Sequence, residues 1–195
     1  MKHNLYKRTL FIVLFFVLAM QQGYSKKSLP EDTMEQLKRI FPETHFVEEI
    51  DHSKFLLFNR EQQKIGSVLY SSPSSDNIVG FSGPVPLLIG IDLNGNIAGV
   101  LLLPNRETVE YVIQVENSGL LSQWDGLPAQ QALKKQVDAV SGATLTSKAV
   151  IRTFQKCVSE DVQSNSGSGL LWIILFGSVA LLGIFYYLFR RKKMN

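Results

Sequence analysis

The stretch from Pro86 to Leu103, PLLIGIDLNGNIAGVLLL, decides the predicted fold. Two apolar runs flank Asn94-Gly95, and this dipeptide supplies the positive φ angles that a tight primed turn needs. The stretch therefore predicts two antiparallel strands joined as a hairpin. The segments on either side determine which elements complete the sheet and which pack against it.

Upstream of the hairpin, the pattern predicts one short helix and three further strands. Pro30 to Phe41 places apolar side chains at three- and four-residue spacing before Pro42, which is typical of an amphipathic helix stopped by proline. Three runs read as strands, and a polar turn joins the last two: His45 to Ile50, Lys54 to Asn59 and Lys64 to Ser71.

Downstream of the hairpin, the sequence pattern predicts helices. Residues 130–136 predict a short helix, and residues 147–162 carry the apolar face of a longer helix that closes the domain. Because strands dominate the first half and helices the second, we predict the α+β class, with an antiparallel sheet packed with helices. A further helical face is suggested by Val109, Val112, Ile113 and, more loosely, Leu120.

The N-terminus has the form of a secretory signal peptide. Leu10 to Met20 is apolar and uncharged behind a basic lead, and it is too short to cross a bilayer core of about 30 Å. Gly23 and Ser25 suit the small-residue positions before a cut after Ser25. We therefore expect residues 1–25 to be a signal peptide, and the alternative is an uncleaved N-terminal anchor.

The C-terminus predicts a single transmembrane helix. Residues 170–189 are apolar and carry no charge, and a helix of this length matches the thickness of the hydrocarbon core. Residues 190–195 begin with four basic residues, which predicts a cytoplasmic tail. Residues 164–169 read as a flexible linker, so we expect residues 26–163 to be the extracytoplasmic domain of a single-pass protein in the cell membrane.

Charge and composition exclude several functional classes. The formal net charge is +3, but residues 26–168 hold thirteen basic and all seventeen acidic residues, so nucleic acid is a poor partner. The single cysteine, Cys157, excludes an intramolecular disulfide and any four-cysteine site, and we expect it to be a small buried residue. Because the three histidines are scattered and no triad or carboxylate pair has persuasive spacing, we predict no metal ligand and no catalytic residue.

Small and hydroxylated residues are concentrated in the stretch from Val137 to Ser147, VDAVSGATLTS, which runs directly into the last helix. Gly142 permits backbone angles closed to other residues, and a helix start offers unpaired N–H groups to an anion. The alternative is a plain turn in which Thr146 or Ser147 caps the helix. The residues alone leave both interpretations open.

The nine residues from Asp138 to Thr146, DAVSGATLT, closely resemble the flavinylation motif of the FMN-binding domain family. That family includes the FMN-carrying subunits of the sodium-translocating NADH:quinone reductase and of the Rnf electron-transfer complex. In it, a flavin transferase uses FAD to join FMN through its phosphate to a threonine hydroxyl. The resemblance implies covalent FMN on Thr144, with Thr146 as the alternative acceptor.

The same resemblance assigns roles to the neighbours of the acceptor. Ser141, Gly142 and Ala143 would belong to the cofactor site. Asp138 would be recognised by the transferase or contact its metal, and a turn-forming aspartate is the alternative. Thr146 lies nearer the expected helix start, where its hydroxyl can cap backbone N–H groups, and this favours Thr144 as the acceptor.

A second stretch also resembles the family. Residues 80–95 combine a Gly-aromatic-x-Gly-Pro pattern with a Gly-Ile-Asp strand and a glycine turn, and a Glu-Thr pair follows the next strand. Two departures limit the resemblance. Residues 109–111 replace a Pro-Gly-rich loop, so we expect a different outer wall for the flavin, and the predicted C-terminal anchor leads us to expect a stand-alone relative. The resemblance implies that four residues border the isoalloxazine ring: Gly83, Pro84, Glu107 and Thr108.

Together these features predict a membrane-anchored, extracytoplasmic electron-transfer flavoprotein that carries FMN. We expect a redox module rather than an enzyme with its own substrate, because the cofactor carries the chemistry. The implied partners are a flavin transferase that uses FAD, an unidentified membrane or surface redox partner, and the lipid bilayer. The alternatives are a membrane-tethered sensory or assembly module that binds FMN without a covalent bond, and a purely structural exported domain.

Overall fold

The computed structural model of the protein describes residues 29–165. The predicted signal peptide, transmembrane helix and cytoplasmic tail lie outside this range. Among residues 29–165, no helix combines the length and apolar character that a membrane span requires.

A five-stranded antiparallel sheet forms the centre of the fold, and its strands lie in the order in which they occur along the chain. Helices cover the sheet, so the predicted α+β class and antiparallel sheet are confirmed. The strands are β1 (Phe46–Glu49), β2 (Lys54–Phe58), β3 (Lys64–Tyr70), β4 (Leu87–Ile91) and β5 (Ile97–Leu102).

Strand β4 is buried along its whole length because both faces of the sheet are covered. Side chains alternate between the two faces of a strand, and Ile89 and Leu88 belong to separate cores accordingly. Helix α1 (Glu31–Ile40) packs on one face, where a Cβ at Gly90 would lie 2.8 Å from Ile40 Cγ2. Glycine at this position lets the helix approach the sheet closely.

The helices on the other face come from the second half of the chain. They are α2 (Val109–Asn117), a 3₁₀ turn (Leu121–Trp124), α3 (Ala129–Lys134) and α4, which covers residues 144–165. Trp124 stacks on Phe154 of α4 with ring centroids 4.0 Å apart, in the larger core. Cys157 is buried in the same core as expected, and burial raises the pKa of its thiol.

The turn between β4 and β5 differs from the predicted two-residue turn. Only Gly95 has a positive φ, and the Asp92 carboxylate accepts the N–H groups of Asn94 and Asn96, both at 2.8 Å. The carboxylate thus stabilises a longer loop with glycine in the left-handed conformation. Burial opposes the charge on Asp92, but these hydrogen bonds outweigh it and lower the pKa of the carboxyl group.

Helix α2 buries only part of the predicted face. Val109 and Ile113 are 65% and 49% exposed, whereas Val115 is fully buried in the larger core. Apolar residues on both sides of the helix offered two possible faces, and the sheet packs against the one that contains Val115. The predicted face is therefore confirmed for Val112, which packs against the larger core, and for Leu120, which is buried in it, but it was wrong for Val109 and Ile113.

Helix α4 extends through Ser164 and Asn165, which the sequence interpretation assigned to the linker. The Ser164 hydroxyl donates to the Asp161 carbonyl at 2.9 Å, and the Asn165 amide donates to the Asp161 carboxylate at 3.1 Å. Asp161 also forms an ion pair with Lys54 of β2. These contacts hold the last turn in helical form, so that assignment was wrong for both residues, and residues 166–169 lie outside the described range.

Candidate functional site

The motif with the small hydroxylated residues forms a tight loop followed by the first turn of α4. Gly142 has a φ of +86°, and a Cβ there would lie 2.7 Å from Oε1 of Gln114 in α2. Ala143 is buried in the larger core, while Ser141 and Thr144 are exposed. Burial of Ala143 therefore holds the loop against the larger core, while the hydroxyl groups of Ser141 and Thr144 face solvent.

Ser147 ties this loop to the helix. Its hydroxyl accepts the N–H of Val140 at 3.0 Å and donates to the carbonyl of Ala143 at 2.8 Å. Helix α4 begins at Thr144, three residues earlier than predicted, so Thr146 and Ser147 lie within its first turn. The alternative in which Thr146 or Ser147 caps the helix is therefore wrong, because neither occupies the residue before the helix.

The two candidate acceptor threonines have opposite surroundings. Thr144 is exposed, and its hydroxyl makes a single long contact of 3.5 Å with the carbonyl of Val140. Thr146 is fully buried, and its hydroxyl donates to Oε2 of Glu107 at 2.8 Å. Of the two threonine hydroxyls, only that of Thr144 is therefore open to a second reactant.

Glu107 lies at the centre of the site, in the segment between β5 and α2. Oε2 accepts the N–H of Phe81 at 2.7 Å, and Oε1 accepts the N–H of Ser82. Only 6% of Glu107 is exposed, and this burial opposes its charge. The hydrogen bonds from Ser82, Phe81 and Thr146 outweigh the burial and lower the pKa of Glu107, so the carboxylate is ionised at neutral pH.

The glycine-rich turn closes over this carboxylate. The N–H of Gly80 donates to the carbonyl of Gly83 at 2.7 Å, and a bridge between Val79 and Pro84 closes the turn. A Cβ at Gly80 would lie 1.8 Å from Oε2 of Glu107, so this position accepts only glycine without rearrangement.

The structure thus brings most of the sequence-predicted site residues together. Hydrogen bonds link the turn at residues 80–83 to Glu107, and Glu107 to the first turn of α4. The hydroxyls of Ser82 and Thr108 lie 2.9 Å apart at the rim. Asp138 is exposed in the extended segment that precedes the loop, and Glu107 is buried beneath the surface instead of lying on it.

Exposed apolar side chains lie on the segments that form the site, and none of them was predicted as a site residue. Phe81 is exposed and makes an edge-to-face contact with Tyr111 of α2, with ring centroids 5.2 Å apart. Phe81 and Leu145 stand alone among polar or small residues and carry no periodic signal, and the spacing of Val109 and Ile113 predicted a buried helical face instead. The exposed members are Phe81, Val109, Ile113 and Leu145.

Open cavities lie elsewhere on the described part of the domain. One, of about 400 Å³, is lined mainly by β1 and β2 residues, and a second, of about 550 Å³, lies between the β4–β5 loop and the end of α4. A third, of about 560 Å³, is lined by Lys38 of α1 and by residues 42–45 and 59–61. None of the predicted site residues lines any of these three cavities. Within residues 29–165, no cluster of three or more His, Cys, Asp or Glu side chains has the arrangement of a metal site.

Comparison with known families supports the resemblance found in the sequence. Residues 80–159 match the family model of the FMN-binding domain. The matched segment contains the glycine-rich turn, Glu107 and the first turn of α4. The resemblance to the FMN-binding domain family is therefore confirmed over this part of the chain.

The chain is also similar to one component of the ion-translocating oxidoreductase complex, its G subunit, from several bacteria. Identity to the Stutzerimonas stutzeri protein is 35% over 85 residues, which cover 38% of this chain and 37% of the relative. The Buchnera aphidicola subsp. Schizaphis graminum protein is 29% identical over 120 residues, covering 55% and 56%. The Pectobacterium atrosepticum protein is 33% identical over 88 residues, covering 40% and 42%. The matched part of the chain spans about half the length of these relatives, or less.

Proposed function

We propose that this chain is an electron-transfer flavoprotein that carries FMN joined through its phosphate to Thr144. The observation that carries the proposal is the contrast between the two motif threonines. The hydroxyl of Thr144 is exposed at the start of α4, whereas the hydroxyl of Thr146 is buried and donates to Glu107. A transferase can reach the first hydroxyl without disturbing the fold.

The attachment reaction balances as a simple group transfer. A bond forms between Thr144 Oγ1 and the phosphorus on the FMN side of FAD, and the pyrophosphate linkage of FAD breaks. AMP leaves, and the hydroxyl proton is released. The chain itself contributes the nucleophilic hydroxyl, and a flavin transferase supplies the catalysis.

The site has features that fit such a group. The N–H groups in the first turn of a helix have no intrahelical partner and favour a phosphate, and Thr144 is the first residue of α4. The exposed apolar side chains of Phe81, Val109 and Leu145 offer contacts for a planar ring. When bound, FMN supplies the redox chemistry, while these residues hold and orient it.

We further propose that the domain is exported and anchored at its C-terminus. The supporting features are the apolar N-terminal stretch and the uncharged span of residues 170–189. Helix α4 runs from Thr144 to residue 165, a length of about 33 Å at 1.5 Å per residue. With the anchor five residues further on, the helix holds the flavin away from the membrane surface, where an extracytoplasmic redox partner can reach it.

The proposal is tested by expressing the full-length chain with a flavin transferase and recording flavin fluorescence on a denaturing gel. We expect a fluorescent band from the unchanged chain and none from Thr144→Ala. The control is Ser122→Ala, which removes an exposed hydroxyl outside the motif and should leave the band in place.

Two results would contradict the proposal. Fluorescence that persists in Thr144→Ala would exclude this residue as the acceptor. A dark band from the unchanged chain, together with reversible binding of free FMN, would favour a sensory or assembly module without covalent flavin.

A further inference from the structure

We propose that the buried carboxylate of Glu107 is a positioning group that locks the glycine-rich turn onto the first turn of α4, and thereby sets both the efficiency of flavin attachment at Thr144 and the reduction potential of the attached flavin. This inference rests on the proposed function and deepens it. In this role Glu107 lies below the surface of the site and acts through its hydrogen bonds to Thr146 and to the glycine-rich turn.

The contacts of the carboxylate connect parts of the chain that are distant in sequence. Phe81 and Ser82 precede Glu107 by 26 and 25 residues, and Thr146 follows it by 39. Each contributes a hydrogen-bond donor, and the N–H of Thr108 adds a longer contact of 3.4 Å. One side chain therefore holds three segments of the site together.

The packing around the carboxylate is tight enough to couple the position of the glycine-rich turn to that of the first turn of α4. A Cβ at Gly80 would lie 1.8 Å from Oε2 of Glu107 and 3.3 Å from Cα of Thr146. The backbone of the turn thus lies against both the carboxylate and the helix. Because Thr146 is only two residues from Thr144, loss of its bond to Glu107 frees the turn of helix that presents the acceptor.

The charge of Glu107 has a separate consequence. The carboxylate is ionised and only 6% exposed, so water screens it poorly. A fixed negative charge near a flavin opposes the gain of an electron and lowers its reduction potential. Replacing Glu107 with neutral glutamine should therefore move the potential of the attached flavin to a more positive value.

Two substitutions in α4 separate positioning from general destabilisation. Thr146→Val removes the hydroxyl that donates to Glu107 and keeps the side-chain shape. Thr153→Val makes the same chemical change at a buried threonine in the same helix, whose hydroxyl has no hydrogen-bond partner within residues 29–165. The two variants therefore differ mainly in that Thr146→Val loses a hydrogen bond to Glu107, whereas Thr153→Val loses no hydrogen bond within residues 29–165.

The experiment uses the full-length chain in detergent, purified without flavin, to which a flavin transferase and FAD are added. We expect the initial rate of attachment to fall roughly fivefold or more in Thr146→Val, the factor that corresponds to one ordinary side-chain hydrogen bond. Thr153→Val should match the unchanged chain. Rates are compared between preparations with equal folded fractions, as judged by thermal unfolding.

Glu107→Gln provides the second readout. We expect slower attachment in this variant and, for the flavin that does attach, a more positive reduction potential. Thr146→Val retains the charge of Glu107 and should leave the potential close to that of the unchanged chain. A purely structural role for Glu107 would slow attachment in both variants and leave the potential unchanged in both.

Three results overturn the inference, and they are distinguishable. Equal attachment rates in Thr146→Val and the unchanged chain would show that the contact with Glu107 does not position the acceptor. An unshifted potential in Glu107→Gln would remove the electrostatic role. Absence of attachment to the unchanged chain would overturn the proposed function as well, and peptide mass mapping of the adduct shows whether Thr144 or Thr146 carries it.

Discussion

At the residue scale, the site depends on where two hydroxyl groups of one motif point. Thr144 and Thr146 are separated by a single residue, yet one is exposed and the other donates to a buried carboxylate. The motif alone could not make this distinction, because the partner of Thr146 lies 39 residues away and meets it only in the folded chain. Exposure of Gly142 and burial of Ala143 likewise became clear only from the fold.

Gly80 offers a direct test of the packing beneath the site. Gly80→Ala places a Cβ against Oε2 of Glu107, and we expect a loss of about 1–3 kcal/mol in the free energy of unfolding. Gly83→Ala is the control, because its Cβ would meet nothing closer than Arg106 Cβ at 3.8 Å. Urea unfolding of the two variants measures the difference, and equal stability would contradict the close packing.

Glu107 also predicts a pH dependence of stability. Its pKa is lowered in the folded state, so its stabilising contribution is complete above the ordinary glutamate pKa of about 4.3. The contribution is lost as the pH falls through the lower, folded-state pKa. We expect Glu107→Gln to be less stable at pH 7, by about 2 kcal/mol, and to lose less stability on acidification.

Thermal unfolding between pH 7 and pH 3 measures this effect. Asp92 also has a lowered pKa, so Glu107→Gln should still show some loss of stability in acid. A variant whose stability falls with pH as steeply as that of the unchanged chain would show that Glu107 is not ionised in the folded state.

At the scale of elements, the strands followed from the sequence more closely than the helix faces did. The apolar runs of β4 and β5 and the glycine turn between them are local features, and the observed hairpin lies within the predicted stretch. The buried face of α2 was predicted for Val112 but not for Val115, because apolar residues lie on two sides of the helix and only the sheet selects between them. Helix α4 begins three residues before its predicted start, and Ser147 bonds back to the loop instead of capping the helix.

The β4–β5 loop gives a prediction at this scale. Gly95 has a φ of +81°, and a Cβ there would meet no atom within 4 Å, so the cost of a side chain is that of the backbone alone. We expect Gly95→Ala to lose about 1–2 kcal/mol, and Gly95→Asn to lose less, because asparagine tolerates the left-handed conformation. Urea unfolding measures both, and an equal loss in the two variants would contradict the assigned backbone conformation.

At the scale of the whole molecule, α4 joins the two regions on which the proposed function depends. It begins at the acceptor threonine and continues to residue 165, close to the predicted membrane span at residues 170–189. Its far end is held to the sheet by the ion pair between Asp161 and Lys54. The helix therefore belongs to the packed domain over its described length and can act as a rigid spacer of about 33 Å.

This arrangement predicts where the flavin lies relative to the bilayer. In vesicles that contain the full-length, flavin-bearing chain, iodide in the aqueous phase should quench the flavin fluorescence, and brominated lipid should leave it unchanged. The distance along α4 is the physical reason for both expectations. Strong quenching by the brominated lipid would place the flavin at the membrane surface and contradict the spacer role.

The central claim is tested most directly by peptide mass mapping of the full-length chain after expression with a flavin transferase. We predict that the mass of FMN, less one water, is found on Thr144 and that Thr146 is unmodified. An adduct on Thr146, or an unmodified motif in a chain that carries no flavin, would contradict the account.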